Sequence, residues 1–311
     1  MKMTRLWRAN LLLLLTAAIW GFGFVAQRAG AMRIGPFSYN ALRFSLACIA
    51  LLAGYRLIRR FEPAVPSAWK AIAWGSAAIG LILFAATTFQ TAGLQFTGAG
   101  KAGFITGLYV VLVPLMGLFW KQRTGPATWL GAGLALAGLY LLSVSEDFRI
   151  QPGDLLVMGG ALMWALHVQA VGYFSRRLDP LKLSIGQFLV TALLSLAAGL
   201  LFEPSPLGNL AGATIPILYG GLFSVGIAFT LQVIAQKDTH PGHAAVIMVS
   251  ESMFAVLAGW LLLGEQFGPR ELAGCGLMLA GMVLSQLGPF LPWKLDHGGK
   301  VSAPVGLASE E

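Results

Sequence analysis

The chain has 311 residues, of which 57% are hydrophobic and only 11% are charged, and its formal net charge is +8. A soluble domain carries about 25% charged residues, so this composition excludes an ordinary soluble globular protein. Cys48 and Cys275 both fall in apolar stretches and offer no metal-ligand spacing. We therefore expect no metal site and no cofactor.

Ten apolar stretches follow one another along the chain. They cover residues 9–27, 36–57, 69–91, 98–120, 126–144, 153–173, 182–202, 214–236, 242–263 and 270–290. A helix needs roughly 20 residues to cross the hydrocarbon core, and in lipid a helix satisfies its own backbone hydrogen bonds. The sequence predicts an all-α membrane protein with ten transmembrane helices.

The second five stretches repeat the first five. Trp20 recurs as Trp164 and Pro36 as Pro180, each 144 residues later. Because five is an odd number, the second copy must enter the membrane from the opposite side. This pattern predicts two inverted-topology repeats, with a site near the midplane between them.

The repeats also set the predicted boundaries. The first five-helix repeat takes residues 1–146, a connecting loop takes 147–152, and the second repeat takes 153–290. Residues 291–311 are small and polar, and we predict a disordered cytoplasmic tail.

The basic residues are distributed unequally across the predicted membrane. With a cytoplasmic N-terminus, fifteen Lys and Arg residues fall on the cytoplasmic side and four on the other, namely Arg28, Arg33, Arg149 and Arg270. This bias predicts that both termini are cytoplasmic in an inner (plasma) membrane. The basic excess is then topological, and we expect the lipid bilayer rather than nucleic acid as a partner.

Four segments carry a family resemblance: AAIWGFGFVAQR, GPFSYNALRFSLA, VSESMFAVLAGWLLLGE and GPRELAGCGLMLAGMVL. They resemble the drug/metabolite transporter superfamily, EamA-type. The resemblance implies ten helices in two inverted repeats, a central cavity, and export or sometimes exchange of small metabolites. Members handle amino acids, sugars, nucleotide-sugars and drugs. Glu265 of the LLLGE motif is matched in the first repeat by Gln122, so a role for that acid is not carried to the first half.

Glu251 lies about nine residues into the ninth stretch, and its equivalent in the first repeat is Leu108. A charged carboxylate near the midplane is costly. Glu251 therefore has three possible roles: it exchanges protons, it binds a cationic group, or it ties helices together as a hydrogen-bonded acid. His243 lies eight residues earlier on the same helical face. It is either part of a proton route or an interfacial histidine.

Arg43 lies seven residues into the second stretch, and Asn40 shares its face. An arginine at this depth has two interpretations. It contacts the substrate or forms part of a gate, or else its side chain snorkels to the interface or pairs with a helix end.

Trp20 and Trp164 occupy equivalent positions, and His167 follows Trp164 on its face. They line the cavity or serve helix packing. Gln90 and Gln232 lie at nearly equivalent positions in the third and eighth stretches. Their amides suit an uncharged or zwitterionic solute, or ordinary interhelical hydrogen bonds. Tyr109 in the fourth stretch completes the set of candidate site residues.

Small-residue pairs mark close helix packing. Gly133 with Ala137, and Gly276 with Ala280, are equivalent pairs in the fifth and tenth stretches. We expect intramolecular packing there, with a homodimer contact as the alternative.

The sequence contains no GxSxG, HExxH or P-loop motif, which disfavours an enzyme. The prediction is a secondary transporter that exports a small, amino acid-like or drug-like metabolite by alternating access. An exchanger or importer is the alternative, and a channel or an intramembrane enzyme is a weaker one.

Overall fold

A computed structural model describes residues 2–97, 99–143, 151–205, 207–263 and 268–287, and these form an all-helical chain. In chain order the helices are α1 (Lys2–Ile34), α2 (Pro36–Ile58), α3 (Trp69–Gly93), α4 (Ala99–Gly107), α5 (Tyr109–Phe119), α6 (Pro126–Ser143), α7 (Pro152–Phe174), α8 (Pro180–Phe202), α9 (Leu210–Leu218), a π-helix (Tyr219–Phe229), α10 (Thr230–Gln236), α11 (Pro241–Met248), α12 (Glu251–Leu263) and α13 (Pro269–Leu287).

Among the described residues, eight helices are long and apolar enough to cross a membrane, and Pro126–Leu142 is a shorter apolar helix. The all-α membrane architecture is thereby confirmed, whereas the count of ten spans stays a prediction. The first helix is longer than predicted, since it runs from Lys2 to Ile34. The predicted tail, Glu265 and most of the connecting loop lie outside the described residues.

The helices of the fourth and ninth stretches are interrupted at nearly equivalent positions, one to two residues apart in the repeat. α4 and α5 meet at Leu108, whose N–H bonds the carbonyl of Ile105 at 3.2 Å. α11 and α12 meet at Val249–Ser250, where the Ser250 N–H bonds the carbonyl of Ile247, also at 3.2 Å. Both are tightened turns of the 3₁₀ type, and each places the first turn of a new helix inside the protein.

The equivalent helices α2 and α8 pack antiparallel and are tied at both ends. At one end, Arg59 donates to the Asp179 carboxylate at 2.6 Å, and Asp179 also caps α8 through the Lys182 N–H at 3.0 Å. At the other end, Glu203 accepts from the Phe37 N–H at 2.6 Å and from Ser38.

A second ionic contact lies on the Asp179 side of the protein. Glu62, in the segment that follows α2, is buried and pairs with Arg8 of α1 at 3.0 Å and with Lys237 after α10. It therefore joins segments from both halves of the chain.

The helices α6 and α13 pack antiparallel through glycines other than the predicted pairs. A Cβ on Gly138 would lie 2.4 Å from the Gly274 carbonyl oxygen, and one on Gly131 would lie 2.6 Å from that of Gly281. Gly133 and Gly276 are exposed instead, with no atom within 4 Å of a Cβ built there. The intramolecular role expected of Gly133 and Gly276 is therefore wrong, because a shift of two residues turns them outward.

Candidate functional site

A narrow cavity lies between the two halves of the chain. Its walls come from α1, α2, α3, α4, α5, α7, the π-helix, α10, α11 and α12. Seven of the predicted site residues line it: Trp20, Arg43, Gln90, Tyr109, Trp164, Gln232 and Glu251. The space that the centre of a water molecule can occupy there is about 50 Å³, which is room for a few waters. A larger solute can enter only if the helices move.

Three aromatic rings form one wall of the cavity. Phe229 of the π-helix stacks on Trp164 with ring centroids 5.7 Å apart, and it lies 4.7 Å from Trp20. The two tryptophans are 6.5 Å apart. Such faces favour apolar and aromatic groups of a solute.

A buried chain of hydrogen bonds runs from this wall to Arg43. Trp164 donates to Gln90 at 2.5 Å, and Gln90 donates to Gln27 at 3.0 Å. Gln27 donates to Thr91 at 2.7 Å. The chain joins α7, α3 and α1, so it holds the aromatic wall in register with the first repeat.

Arg43 and Thr91 meet at the same acceptor. Arg43 Nε donates to Asn40 Oδ1 at 3.0 Å, and the Thr91 hydroxyl donates to the same oxygen at 3.3 Å. The guanidinium lies 5.2 Å from the ring centroid of Tyr39 and 5.0 Å from that of Phe44. Arg43 is 3% exposed, so it does not snorkel, and within the described residues no carboxylate pairs with it. Its terminal nitrogens are therefore available to an anionic group of a solute.

Glu251 is the first residue of α12 and is 4% exposed. Within the described part of the chain its carboxylate has no hydrogen bond or ion pair. The positive end of the α12 dipole partly offsets the cost of a charge there. The Tyr109 hydroxyl, at the start of α5, is also buried and without a partner among the described groups. An unpaired acid in such a place can hold a proton or a cationic group.

The π-helix also contacts α1 directly, a feature that sequence reasoning missed. The Trp20 indole donates to the Ser224 carbonyl at 3.0 Å, and the Tyr219 hydroxyl donates to the Ile19 carbonyl at 2.7 Å. π-Helical turns are rare and frequent at functional sites. The only local signal in the sequence is the run YGGLFSVG, whose glycines allow close approach.

His167 lies behind the aromatic wall and does not line the cavity. Its Nε2 is 3.0 Å from Gln187 Oε1, and its ring packs edge-on against Trp164 and Phe229. Gln187, the equivalent of Arg43, thus has His167 as its hydrogen-bond partner and does not line the cavity.

Gln232 and Gln236 form a pair at 2.9 Å, and Gln236 continues to the Val168 carbonyl at 3.0 Å. Gln232 lines the cavity, and its Oε1 atom is buried without a partner among the described groups.

The structure places His243 away from the cavity. Its Nδ1 lies 2.9 Å from the Ser285 hydroxyl and its Nε2 lies 3.2 Å from Asn10 Oδ1. Both ring nitrogens are occupied at the contact of α1, α11 and α13, which leaves no hydrogen-bonded route from His243 to Glu251 among the described residues.

Comparisons with known proteins identify similar transporters. The family model described as EamA-like transporter family matches residues 7–144 and 151–287. The chain is 31% identical over 283 residues to an uncharacterized transporter of Archaeoglobus fulgidus, covering 90% of this chain and 86% of the relative.

Two further similarities bear on specificity and on fold. The aromatic amino acid exporter YddG of Ancylobacter novellus is 29% identical over 217 residues, which is 66% of this chain and 73% of that protein. A protein of known crystal structure matches with a TM-score of 0.73 and 24% identity, covering 91% of this chain and 98% of its own, and this likeness concerns the fold alone. With both halves of the sequence matched by the family model, the chain belongs to the EamA-like transporter family, whose members are transporters and not enzymes.

Proposed function

We propose that this protein is a secondary transporter of the inner membrane that exports a small amino acid-like solute by alternating access. The observation that carries the proposal is the central cavity, in which Arg43 and Glu251 are both buried without an ionic partner among the described residues. Unpaired charges of both signs at membrane depth are costly, and a zwitterionic solute would compensate them.

An inverted arrangement of two five-helix repeats, 1–146 and 153–290, is the framework of the proposal. Three observations support it: the family model matches twice, α2 packs antiparallel to α8, and α6 packs antiparallel to α13. The interruptions at Leu108 and Val249–Ser250 are the discontinuous helices that such transporters use at their sites. Ten spans and cytoplasmic termini complete this proposed topology.

The cavity favours a solute with an aromatic side chain. Its amine would bind Glu251, its carboxylate would bind Arg43, and its ring would lie on the wall formed by Trp20, Trp164 and Phe229. The named activity of YddG, aromatic amino acid export, supports this class of solute. Among our candidate residues, His167 and His243 support the protein from outside the cavity and are not assigned to the solute.

Counterflow in liposomes tests the proposal. Proteoliposomes loaded with unlabelled phenylalanine should accumulate labelled phenylalanine faster than liposomes loaded with glutamate or with no amino acid. Saturable counterflow indicates a transporter, whereas linear, non-saturable flux would indicate a channel. Absence of counterflow for phenylalanine, tyrosine and tryptophan would overturn the aromatic amino acid assignment.

A further inference from the structure

A second cavity, of about 700 Å³, lies between the ends of α5 and α7 and the start of α11. We call it the basic pocket. Its rim is formed by Trp120, Arg123, Tyr173, Arg176, Arg177 and His240, which lie at or just beyond helix ends. Its inner wall is largely apolar, with Leu166, Ala170 and Phe174 of α7, and it also includes the amides of Gln122 and Gln169. A charged rim above an apolar wall fits an amphipathic ligand.

Two of the rim arginines, Arg176 and Arg177, hydrogen-bond only to backbone carbonyls in the described part of the chain. Arg176 donates to the Thr239 carbonyl at 2.6 Å, and Arg177 donates to the Tyr173 carbonyl at 2.8 Å. Neither forms an ion pair among the described residues, and each guanidinium has further donors.

The charges of Arg176 and Arg177 repel each other in this pocket, and His240 beside them is neutral and accepts from the Gly242 N–H. Burial lowers the pKa of Arg176, and the adjacent Arg177 lowers it further, with Asp238 opposing. Burial also lowers the pKa of His240, and the charge of Arg176 adds to that effect. The N-terminus of α11 lies at the same rim and adds positive potential. An anionic ligand would relieve this repulsion.

The pocket opens on the lipid-facing side of α7. Leu155, Met158 and Leu162 form an exposed apolar stripe on that helix, and Leu166 and Tyr173 continue it into the pocket. The exposed aromatic groups Trp120 and Tyr173 at its rim are typical of the level where lipid headgroups lie. A ligand that arrives from the bilayer therefore meets the pocket directly.

We propose that the basic pocket binds the phosphate headgroup of an anionic phospholipid, with an acyl chain along the apolar wall of α7. Basic pockets between transmembrane helices recognise such headgroups through charge-assisted hydrogen bonds. The arginines Arg176 and Arg177 hold the phosphate, and Trp120 and Tyr173 flank it.

Native mass spectrometry of the purified full chain in detergent tests the proposal. The protein is titrated with phosphatidylglycerol, with phosphatidylcholine of the same acyl chains, and with soluble glycerol phosphate. We expect phosphatidylglycerol to bind at least tenfold more tightly than phosphatidylcholine. Arg176→Gln/Arg177→Gln should weaken its binding by about 30-fold, or about 5-fold for each arginine.

Arg56→Gln/Arg60→Gln is the matched control, because these exposed arginines end α2 on the same side of the protein and outside the pocket. The control should keep the preference for phosphatidylglycerol. Equal binding of the two lipids, or an unchanged preference in Arg176→Gln/Arg177→Gln, would overturn the proposal. Binding of glycerol phosphate as tight as that of the lipid would assign the pocket to a soluble anion instead.

A single variant covers the case in which the double variant does not fold. Arg177 donates to the Tyr173 carbonyl and lies 3.8 Å from the centroid of the Tyr173 ring, so its contacts are local and Arg177→Gln should fold normally. About a 5-fold loss of phosphatidylglycerol binding is expected from it, and an unchanged affinity contradicts the proposal.

Discussion

Arg43 and Glu251 are the two charged side chains that line the central cavity. Both could be singled out from the sequence, because an ionisable residue deep in an apolar stretch is rare and costly. The sequence could not predict that both side chains are buried and lack an ionic partner within the described residues. These two properties depend on which neighbours the fold brings near. Gln27 and Ser224 contribute to the same site through α1 and the π-helix, and ordinary polar residues carry no comparable signal in the sequence.

Glu251→Gln separates proton coupling from substrate binding. The amide keeps the size and hydrogen bonding of the acid but cannot titrate. If Glu251 carries the coupled proton, gradient-driven flux should be lost, because an amide cannot release and rebind a proton, while binding persists and becomes independent of pH between pH 5 and 8. Binding itself should fall if Glu251 holds the amine of the solute.

Flux in proteoliposomes and binding by calorimetry measure these two outcomes. Glu271→Gln, at the start of α13 and outside the cavity, is the control and should behave like the wild type. A Glu251→Gln protein with normal binding, flux and pH dependence would show that the acid is structural.

Arg43→Ala should weaken solute binding by ~1.5–3 kcal/mol, the usual contribution of a hydrogen bond to a charged group. Arg43→Lys should restore only part of it, since lysine lacks the planar donor fork and the stacking on Tyr39 and Phe44. Binding isotherms for phenylalanine, beside a check of folding by size-exclusion chromatography, measure the effect. Normal binding by the folded alanine variant would remove Arg43 from the solute site.

At the scale of the elements, hydrophobic length predicted the helices well, whereas their interruptions were not predicted. Apolar stretches say how long a helix can be, but they do not show where local turns such as those at Leu108 and Val249–Ser250 interrupt it. The π-helix Tyr219–Phe229 is bonded to α1, a contact that no local pattern reveals. The choice between glycine faces on α6 and α13 was missed for a similar reason. Gly131 and Gly133 both fit a small-residue pattern, and only helix rotation decides which one faces a partner.

Gly138→Leu should destabilise the contact of α6 with α13, because its side chain would overlap the Gly274 carbonyl. We expect a loss of ~1–3 kcal/mol, the usual cost of overpacking, seen as a lower thermal midpoint in detergent. Gly133→Leu is the control, since nothing lies within 4 Å of its Cβ position. Equal midpoints for the two variants would contradict the described packing.

The homodimer hypothesis can be tested on the same control. Gly133→Leu changes only the outward face of α6, so a shift from dimer to monomer in light scattering would support a contact between protomers there. An unchanged oligomeric state would remove this face from consideration.

Asp179 links α2 to α8 and makes stability depend on pH. Burial alone would raise its pKa, but hydrogen bonds from Arg59, Lys182 N–H and Val65 N–H outweigh burial and lower the pKa of Asp179. Its contribution is therefore fully present above its unfolded pKa of about 4 and is lost as pH falls through the lower folded value. Asp179→Asn should destabilise the protein at pH 7 by ~3–5 kcal/mol, since it leaves Arg59 without its acid.

Thermal unfolding in detergent at pH 7 and at pH 3 measures this effect. The difference between Asp179→Asn and the wild type should shrink at pH 3. Asp238→Asn, which removes a half-buried carboxyl that accepts no hydrogen bond among the described residues, is the control and should change little. A difference that persists unchanged at low pH would mean that the charge of Asp179 is not the stabilising feature.

For the whole molecule, two pairs of helices at equivalent positions of the sequence repeat, α2 with α8 and α6 with α13, pack against each other. This is the arrangement that a pseudo-twofold axis between inverted repeats would produce. The ties at the two ends of α2 and α8 place Ala68 and Ser205 on opposite faces of the protein, since Arg59 meets Asp179 at one end and Phe37 meets Glu203 at the other. The excess of lysine and arginine on the side of Ala68 predicts that this face is cytoplasmic.

Cysteine labelling in intact cells tests this orientation. In a Cys48→Ala/Cys275→Ala background, Ser205→Cys should react with a membrane-impermeant maleimide, and Ala68→Cys should react only after the cells are permeabilised. Both positions are exposed, so accessibility within the protein does not limit the reaction, whereas Ser38 would be unsuitable because it is buried against Glu203. If only Ala68→Cys is labelled in intact cells, the orientation of the protein is the opposite of the predicted one, and the basic pocket lies on the outer face. Labelling of both would contradict the antiparallel pairing of α2 with α8, on which the proposed alternating-access mechanism depends.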